Sequence, residues 1–227
     1  MFLLALDTSS PNQSCCLLQD GITQIELSLR AGPDWNTDPV TLIGEALRLA
    51  GTPLSKVDAL ACTLGPGSFT GLRVGLSVMK GLAAPGVPLF GVSTLRALAG
   101  SATSGGAEVV VACLDARREE LYAAAYQGKQ MVIPEGVYSP AQLAEALASL
   151  NHQGPWLWVG DGVRRHAAQF PAAMDPTSAP LFDAPRPGAV AILAYERWLA
   201  GERPDAAGLV PEYLRAPEAE RKRLALR

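Results

Sequence analysis

The chain has 227 residues, 48% hydrophobic and 18% charged, a balance that supports a packed core and excludes a disordered or low-complexity chain. With 19 basic against 22 acidic residues the net charge is −3, so the basic footprint of a protein that grips nucleic acid unaided is missing. The apolar start runs straight into Asp7, too short for a signal or a membrane span, and the 4 cysteines lack C-x-x-C spacing, so the expectation is a cytoplasmic protein with buried, reduced thiols.

Residues 2–6 form a short apolar run that predicts a buried strand ending on Asp7 and the turn Thr8-Ser9-Ser10-Pro11. Residues 14–19 and 22–29 flank Asp20-Gly21, a hairpin dipeptide tolerant of positive φ, so a three-stranded meander opens the chain. After the Gly/Pro/Asn-rich loop 31–36, Thr37-Asp38-Pro39 caps a helix that runs to about residue 50 and stops at Gly51. A strand over 57–64, a helix over 70–84, a strand over 88–92 and a short helix over 93–101 follow. The small-residue stretch 101–106 suits a lobe boundary, dividing the chain into 1–104 and 105–227.

After that stretch the order restarts. A strand over 108–114 ends on Asp115 as the first ended on Asp7, 121–126 and 130–137 make a hairpin around Gly128, and 139–150 is a capped amphipathic helix. A strand over 156–159 then runs into Gly160-Asp161-Gly162, and 187–200 is a terminal helix free to pack back on the first lobe, followed by a proline-punctuated tail. Two copies of β-β-β-α-β with an acidic residue closing each first strand are the plan of a two-lobed α/β phosphate-binding fold.

The stretch GPGSFTGLRVG from Gly65 to Gly75 lies between a strand and a helix, where exposed backbone N–H groups and a helix N-terminus suit an anion. It matches neither G-x-x-x-x-G-K-[ST] nor G-x-G-x-x-G, and its glycines equally permit a tight turn and close packing. The degenerate phosphate-loop candidates are Gly65, Gly67 and Ser68, with Asp7 and Thr8 from the first strand, and Asp115, Gly160 and Gly162 from the second half. Each aspartate alone is as well explained as a turn residue. An active small-molecule kinase would want glycines beside the first aspartate, and Thr8-Ser9-Ser10-Pro11 has none. His152 and His166 lie too far apart for a zinc pair and are expected on the surface; no G-x-S-x-G elbow occurs, so neither metal nor catalytic residues are assigned, which also disfavours a peptidase. The two helices of the first lobe are apolar on more than one face. Leu42, Ile43, Ala46 and Leu49 on the first, with Leu72, Arg73, Gly75, Leu76, Met79 and Lys80 on the second, are candidates for a partner-covered surface; the alternative is a central core helix.

The strings Leu4-Ala5-Leu6-Asp7-Thr8-Ser9, GPGSFTGLR at 65–73, Gly91-Val92-Ser93-Thr94-Leu95, Asp115-Ala116-Arg117 with Glu120 and Tyr122, Gly160-Asp161-Gly162 and Tyr213-Leu214-Arg215 resemble, in this order, the bacterial TsaB (YeaZ) family. The resemblance implies a duplicated actin/Hsp70/sugar-kinase-like (ribonuclease H-like) fold with a degenerate nucleotide site. It implies a non-catalytic subunit that pairs with TsaD, with the small ATPase TsaE, or with a second copy of itself when TsaD is missing. The complex places threonylcarbamoyl on the adenosine next to the anticodon of tRNA, which this chain would meet only indirectly. No cofactor is firmly implied, ATP or ADP entering only at a joint site in the complex. The loop before the first helix lacks the His that family members commonly carry. A small-molecule kinase is the alternative.

Overall fold

The computed structural model describes residues 1–30, 38–102, 109–152, 154, 156–176 and 183–215. The loop 31–36 with Thr37, most of the proposed boundary at 101–106 and the residues after 215 lie outside them.

The strands β1 (Phe2–Asp7), β2 (Asn12–Gln19) and β3 (Ile22–Arg30) form the antiparallel meander expected at the start. Asp20 and Gly21 both take positive φ, as a tight hairpin turn twisted with its strands requires. The helix α1 (Pro39–Leu49) begins where Asp38 accepts from the Val40 amide at 3.2 Å and ends before Gly51, whose φ is +62°; a cap of that type contributes about 1 kcal/mol. β4 (Val57–Gly65), α2 (Phe69–Leu82), β5 (Leu89–Ser93) and α3 (Thr94–Gly100) complete a sheet of order β3-β2-β1-β4-β5, with β4 and β5 parallel to β1.

The second half repeats the plan. β6 (Val109–Asp115), β7 (Leu121–Gln127) and β8 (Gln130–Tyr138) form a meander, α4 (Pro140–Ala148) starts in a capping box between Ser139 and Gln142, and β9 (Trp156–Val159) lies parallel to β6. The sheet order is β8-β7-β6-β9. The glycine turn after β9 opens a short helix, α5 (Asp161–His166), before the long α6 (Pro187–Leu199).

The first sheet is covered on both faces, which explains why its central strands read as unbroken apolar runs. On one face Leu4, Leu6, Cys15 and Leu17 meet Leu42, Ile43, Ala46, Leu47, Leu76 and Met79 from α1 and α2. On the other, Leu3, Ala5, Cys16 and Leu18 meet Val190, Ala191 and Ala194 of α6. α3 lies between the sheets, with Ala97 on the first and Leu95 and Leu98 on Val110, Ala112 and Leu114 of the second. Each such buried leucine contributes about 1.5–3 kcal/mol.

This packing corrects the expected partner surface. Leu42, Ile43, Ala46, Leu72, Gly75, Leu76 and Met79 are turned into the chain's own core, because the most apolar face of each helix covers the nearest apolar sheet face. Lys80 is half-buried and donates to the Ala207 carbonyl at 3.0 Å. Of the expected residues, α1 and α2 expose Leu49 and Arg73; outside the expected set they expose Val40 on α1 and Phe69 and Val74 on α2. His166, expected at the surface, is only 3% exposed at the end of α5, whereas His152 is half-buried with its ring edge-on to Trp156.

Candidate functional site

The glycine loop and the end of β1 meet as the strand order requires, since β1 and β4 are parallel neighbours. Asp7 is fully buried there. Its Oδ1 accepts from the Thr63 hydroxyl at 2.6 Å and from the Ser9 amide at 3.1 Å, while Oδ2 has no protein partner. Burial raises the Asp7 pKa above the usual carboxylate value, against the lowering effect of those hydrogen bonds.

Thr8 and Ser9 then lie directly on the loop. Thr8 Oγ1 donates to the Gly71 carbonyl at 2.8 Å, and the Ser68 amide donates to the Ser9 carbonyl at 2.7 Å. The Ser68 hydroxyl is turned inward to cap α2, accepting from the Gly71 amide at 3.2 Å. A Cβ on Gly67 would overlap the Ser9 carbonyl, one on Gly71 the Thr8 carbonyl, and one on Gly75 the Thr8 hydroxyl. At Gly65, where φ is +140°, the overlap would be with the Glu212 carbonyl of the returning tail. Thr8, Ser9 and Glu212 thus lie close over these glycines, and the Ser68 and Gly71 N–H groups are already bonded within the chain.

The second half closes in the same way. Gly160, at φ +106°, lies under the Cys113 carbonyl, and a Cβ on Gly162 would come within 2.8 Å of the Leu114 carbonyl carbon. Asp115 accepts from the Arg117 amide at 2.9 Å, pairs with Arg165 at 2.6 Å and faces His166 Nε2 at 3.3 Å, while its own amide donates to Asp161 at 3.1 Å. Asp115 is therefore an internal ion-pair partner. Of the two strand-end aspartates, Asp7 is buried with its carboxyl on the Thr63 hydroxyl and the Ser9 amide, and Asp115 is bound by Arg165 and His166. Among the described residues no group of three or more His, Cys, Asp or Glu side chains could hold a metal ion.

Sequence reasoning missed Arg165, placed His166 at the surface and gave the tail no contacts with the rest of the chain. The tail's extended, proline-spaced residues carried one usable signal, an aromatic, an aliphatic and a cationic side chain in succession at Tyr213, Leu214 and Arg215. In the fold Tyr213 stacks on Phe69, with ring centroids 5.2 Å apart, and its hydroxyl accepts from Arg73 Nε at 2.9 Å. The Arg73 guanidinium lies 3.8 Å from the Phe69 ring centre, so this cation is held flat on the outer side of α2.

The family model described as "TsaD: tRNA N6-adenosine threonylcarbamoyltransferase" matches residues 39–222. The tRNA threonylcarbamoyladenosine biosynthesis protein TsaB of Escherichia coli is 36% identical over 170 residues, which are 71% of this chain and 72% of that protein. The solved structure of YeaZ from Pseudomonas aeruginosa superposes with a TM-score of 0.79 at 31% identity, covering 93% of this chain and 99% of that one. A more distant structure, component A of the (R)-2-hydroxyglutaryl-CoA dehydratase of Acidaminococcus fermentans, shares the fold at a TM-score of 0.50 and 12% identity, over 87% and 98% of the two chains. The fold is the duplicated actin-like, sugar-kinase-like one, and by sequence and structure together the chain belongs to the TsaB (YeaZ) family.

Proposed function

We propose that this chain is a subunit of the machinery that makes threonylcarbamoyladenosine on tRNA, pairing with TsaD and supplying no catalytic group of its own. The observation that carries this is the closed glycine loop: Thr8, Ser9 and Glu212 occupy the positions over Gly65, Gly67 and Gly71. A kinase of this fold would need that space for phosphate. The likeness to the tRNA threonylcarbamoyladenosine biosynthesis protein of Escherichia coli supports the tRNA pathway, and the net charge of −3 supports contact with tRNA through a partner rather than alone.

The contact surface in this reading is drawn from the exposed positions of α1 and α2, Val40 and Leu49 on the first and Phe69, Val74 and Arg73 on the second, with Arg73 lying on the Phe69 ring. The same patch would serve a second copy of the chain in the absence of TsaD, and TsaE would join the assembled pair. The cytoplasm, where tRNA is modified, is the proposed location; the 4 cysteines are unpaired, and among the described residues no helix is long and apolar enough to cross a membrane.

The test is gel filtration with light scattering of the chain mixed with TsaD from the same organism, together with a tRNA threonylcarbamoylation assay supplied with TsaE and the threonylcarbamoyl-adenylate synthase. A stable complex and activity that depends on the chain are expected. Unchanged activity without it, and no complex, would overturn the assignment. Heat on titrating ATP into the isolated chain would instead favour the kinase reading.

A further inference from the structure

After α6 the chain returns across the molecule as an extended strap, residues 204–215, whose contacts progress from the first lobe to the second. The Pro204 carbonyl accepts from the Leu89 amide at 3.3 Å at the edge strand, and Ala207 receives Lys80 of α2. Ala206 and Leu209 pack on the core beneath α2, with Leu209 also beside Gly91. The Glu212 amide donates to the Leu64 carbonyl at 2.8 Å, and its own carbonyl sits over Gly65 at the mouth of the glycine loop. Tyr213 stacks on Phe69, and Leu214 joins the cluster between α3 and the second sheet. Finally Arg215 donates to the Ala116 carbonyl at 2.8 Å and pairs with Glu120, both in the β6–β7 turn.

That turn is itself unusual. Arg117, Arg118 and Glu119 have φ values of 62°, 55° and 60°, a run of left-handed residues that none of these side chains favours. Cross-bonds hold it: the Ala116 amide to the Glu120 carbonyl at 2.9 Å, the Asp115 carboxylate on the Arg117 amide, and Arg215 on both ends. The strap therefore ends on a conformation that depends on being held.

We propose that residues 204–215 are an intramolecular latch. The Glu212 backbone closes the mouth of the glycine loop in the first lobe, Arg215 pins the strap to the Ala116–Glu120 turn of the second, and the mouth opens only when that pin releases. The latch is a property of the isolated chain, so its test is independent of any partner and of the tRNA pathway.

Amide hydrogen exchange, read residue by residue on the full-length chain, provides that test. The Glu120→Ala change is made in the second lobe, ninety-odd residues from the reporter, the Glu212 amide on Leu64. Glu212 is expected to exchange about tenfold faster in Glu120→Ala and again in Arg215→Ala, with no further gain in the double variant, because both changes release one pin. Should Arg215→Ala not fold, Arg215→Lys keeps the charge, loses the forked hydrogen bonding and carries the same expectation. The control is Glu45→Ala, which breaks the exposed Glu45–Arg48 pair on α1 and leaves Glu212 protection unchanged. Unchanged Glu212 protection in both pin variants, or an equal rise in the control, would overturn the latch.

Discussion

Replacing Met79 and Val74, less than two turns apart on α2, separates core from surface on the helix expected to meet a partner. Met79 is 0% exposed and packs with Leu4, Leu6, Leu17 and Leu76 over the first sheet, whereas Val74 is 41% exposed. Truncating a fully buried methionine to alanine removes its transfer free energy and leaves a cavity, together costing about 2–5 kcal/mol. Taking about 3 kcal/mol, and about 2–4 °C per kcal/mol for a chain of this size, Met79→Ala should lower the melting temperature by about 6–12 °C. Val74→Asp should change stability far less, by about 0.5 kcal/mol, because the side chain already reaches water, yet it places a carboxylate at an exposed apolar position of α2 and should abolish association with TsaD. Thermal unfolding followed by circular dichroism gives the first quantity and light scattering of the mixture the second. A Met79→Ala protein that melts with the parent but no longer pairs would refute the burial argument and return the inner residues to the interface. Retained pairing in Val74→Asp would remove the outer face of α2 from it.

The other expectations follow from the glycines, Asp7 and the thiols. Gly71→Ala forces a Cβ onto the Thr8 carbonyl and should destabilise by about 1–3 kcal/mol, while Gly44→Ala, with open space around it on α1, should stabilise by about 0.5–1 kcal/mol; urea midpoints of opposite sign check the pair. For Asp7, burial raises the folded-state pKa above the unfolded value, so the folded chain holds the proton over a window in which the unfolded chain has lost it. The associated stability is full below the unfolded pKa and falls as pH rises through the folded one. Asp7→Asn keeps an acceptor for Thr63 and Ser9, so it should be more stable than the parent at pH 8 and lose that advantage toward about pH 4; an equal difference at both pH values would refute the assignment. Burial pushes the thiols of Cys15, Cys16 and Cys62 up to about 12, and that of Cys113 higher still, so none should react with a thiol reagent at pH 8 until urea unfolds the chain.

The parts of this fold legible in the sequence are those set by neighbours in the chain. Asp20-Gly21, the Asp38-Pro39 cap, the Ser139–Gln142 capping box and the apolar runs of β1 and β4 each encode a local geometry, and each forms within a residue or two of where it was expected. What was not legible depends on residues far apart. An apolar helix face announces that something covers it, but not whether that cover is the chain's own sheet or another protein. For Leu76 and Met79 the cover is β1, β2 and β4, and strap residues Ala206 and Leu209 join the same cluster. His166 was misplaced for a similar reason: its burial follows from Asp115, fifty-one positions earlier in the chain.

The glycine loop poses the same problem in its sharpest form. A run of glycines between a strand and a helix is required wherever a phosphate approaches backbone, and equally wherever another stretch of backbone does, since in both cases a Cβ is what must be missing. The two readings differ only in what stands above the glycines, which is a long-range fact. Here the end of β1 stands over Gly67 and Gly71, the end of β6 over Gly160 and Gly162, and the strap over Gly65. In the first half the turn after β1 settles onto the glycine turn that its parallel neighbour leads into, and in the second the last residues of β6 themselves lie over the corresponding turn. Asp7 is buried away from solvent, with its Oδ2 unpartnered, and Asp115 is bound by Arg165 and His166, so neither carboxylate is presented at the surface. What the chain offers another molecule is consequently its outer face, and the aromatic pair Phe69 and Tyr213 with the flat Arg73 between α2 and the strap is the best organised part of it.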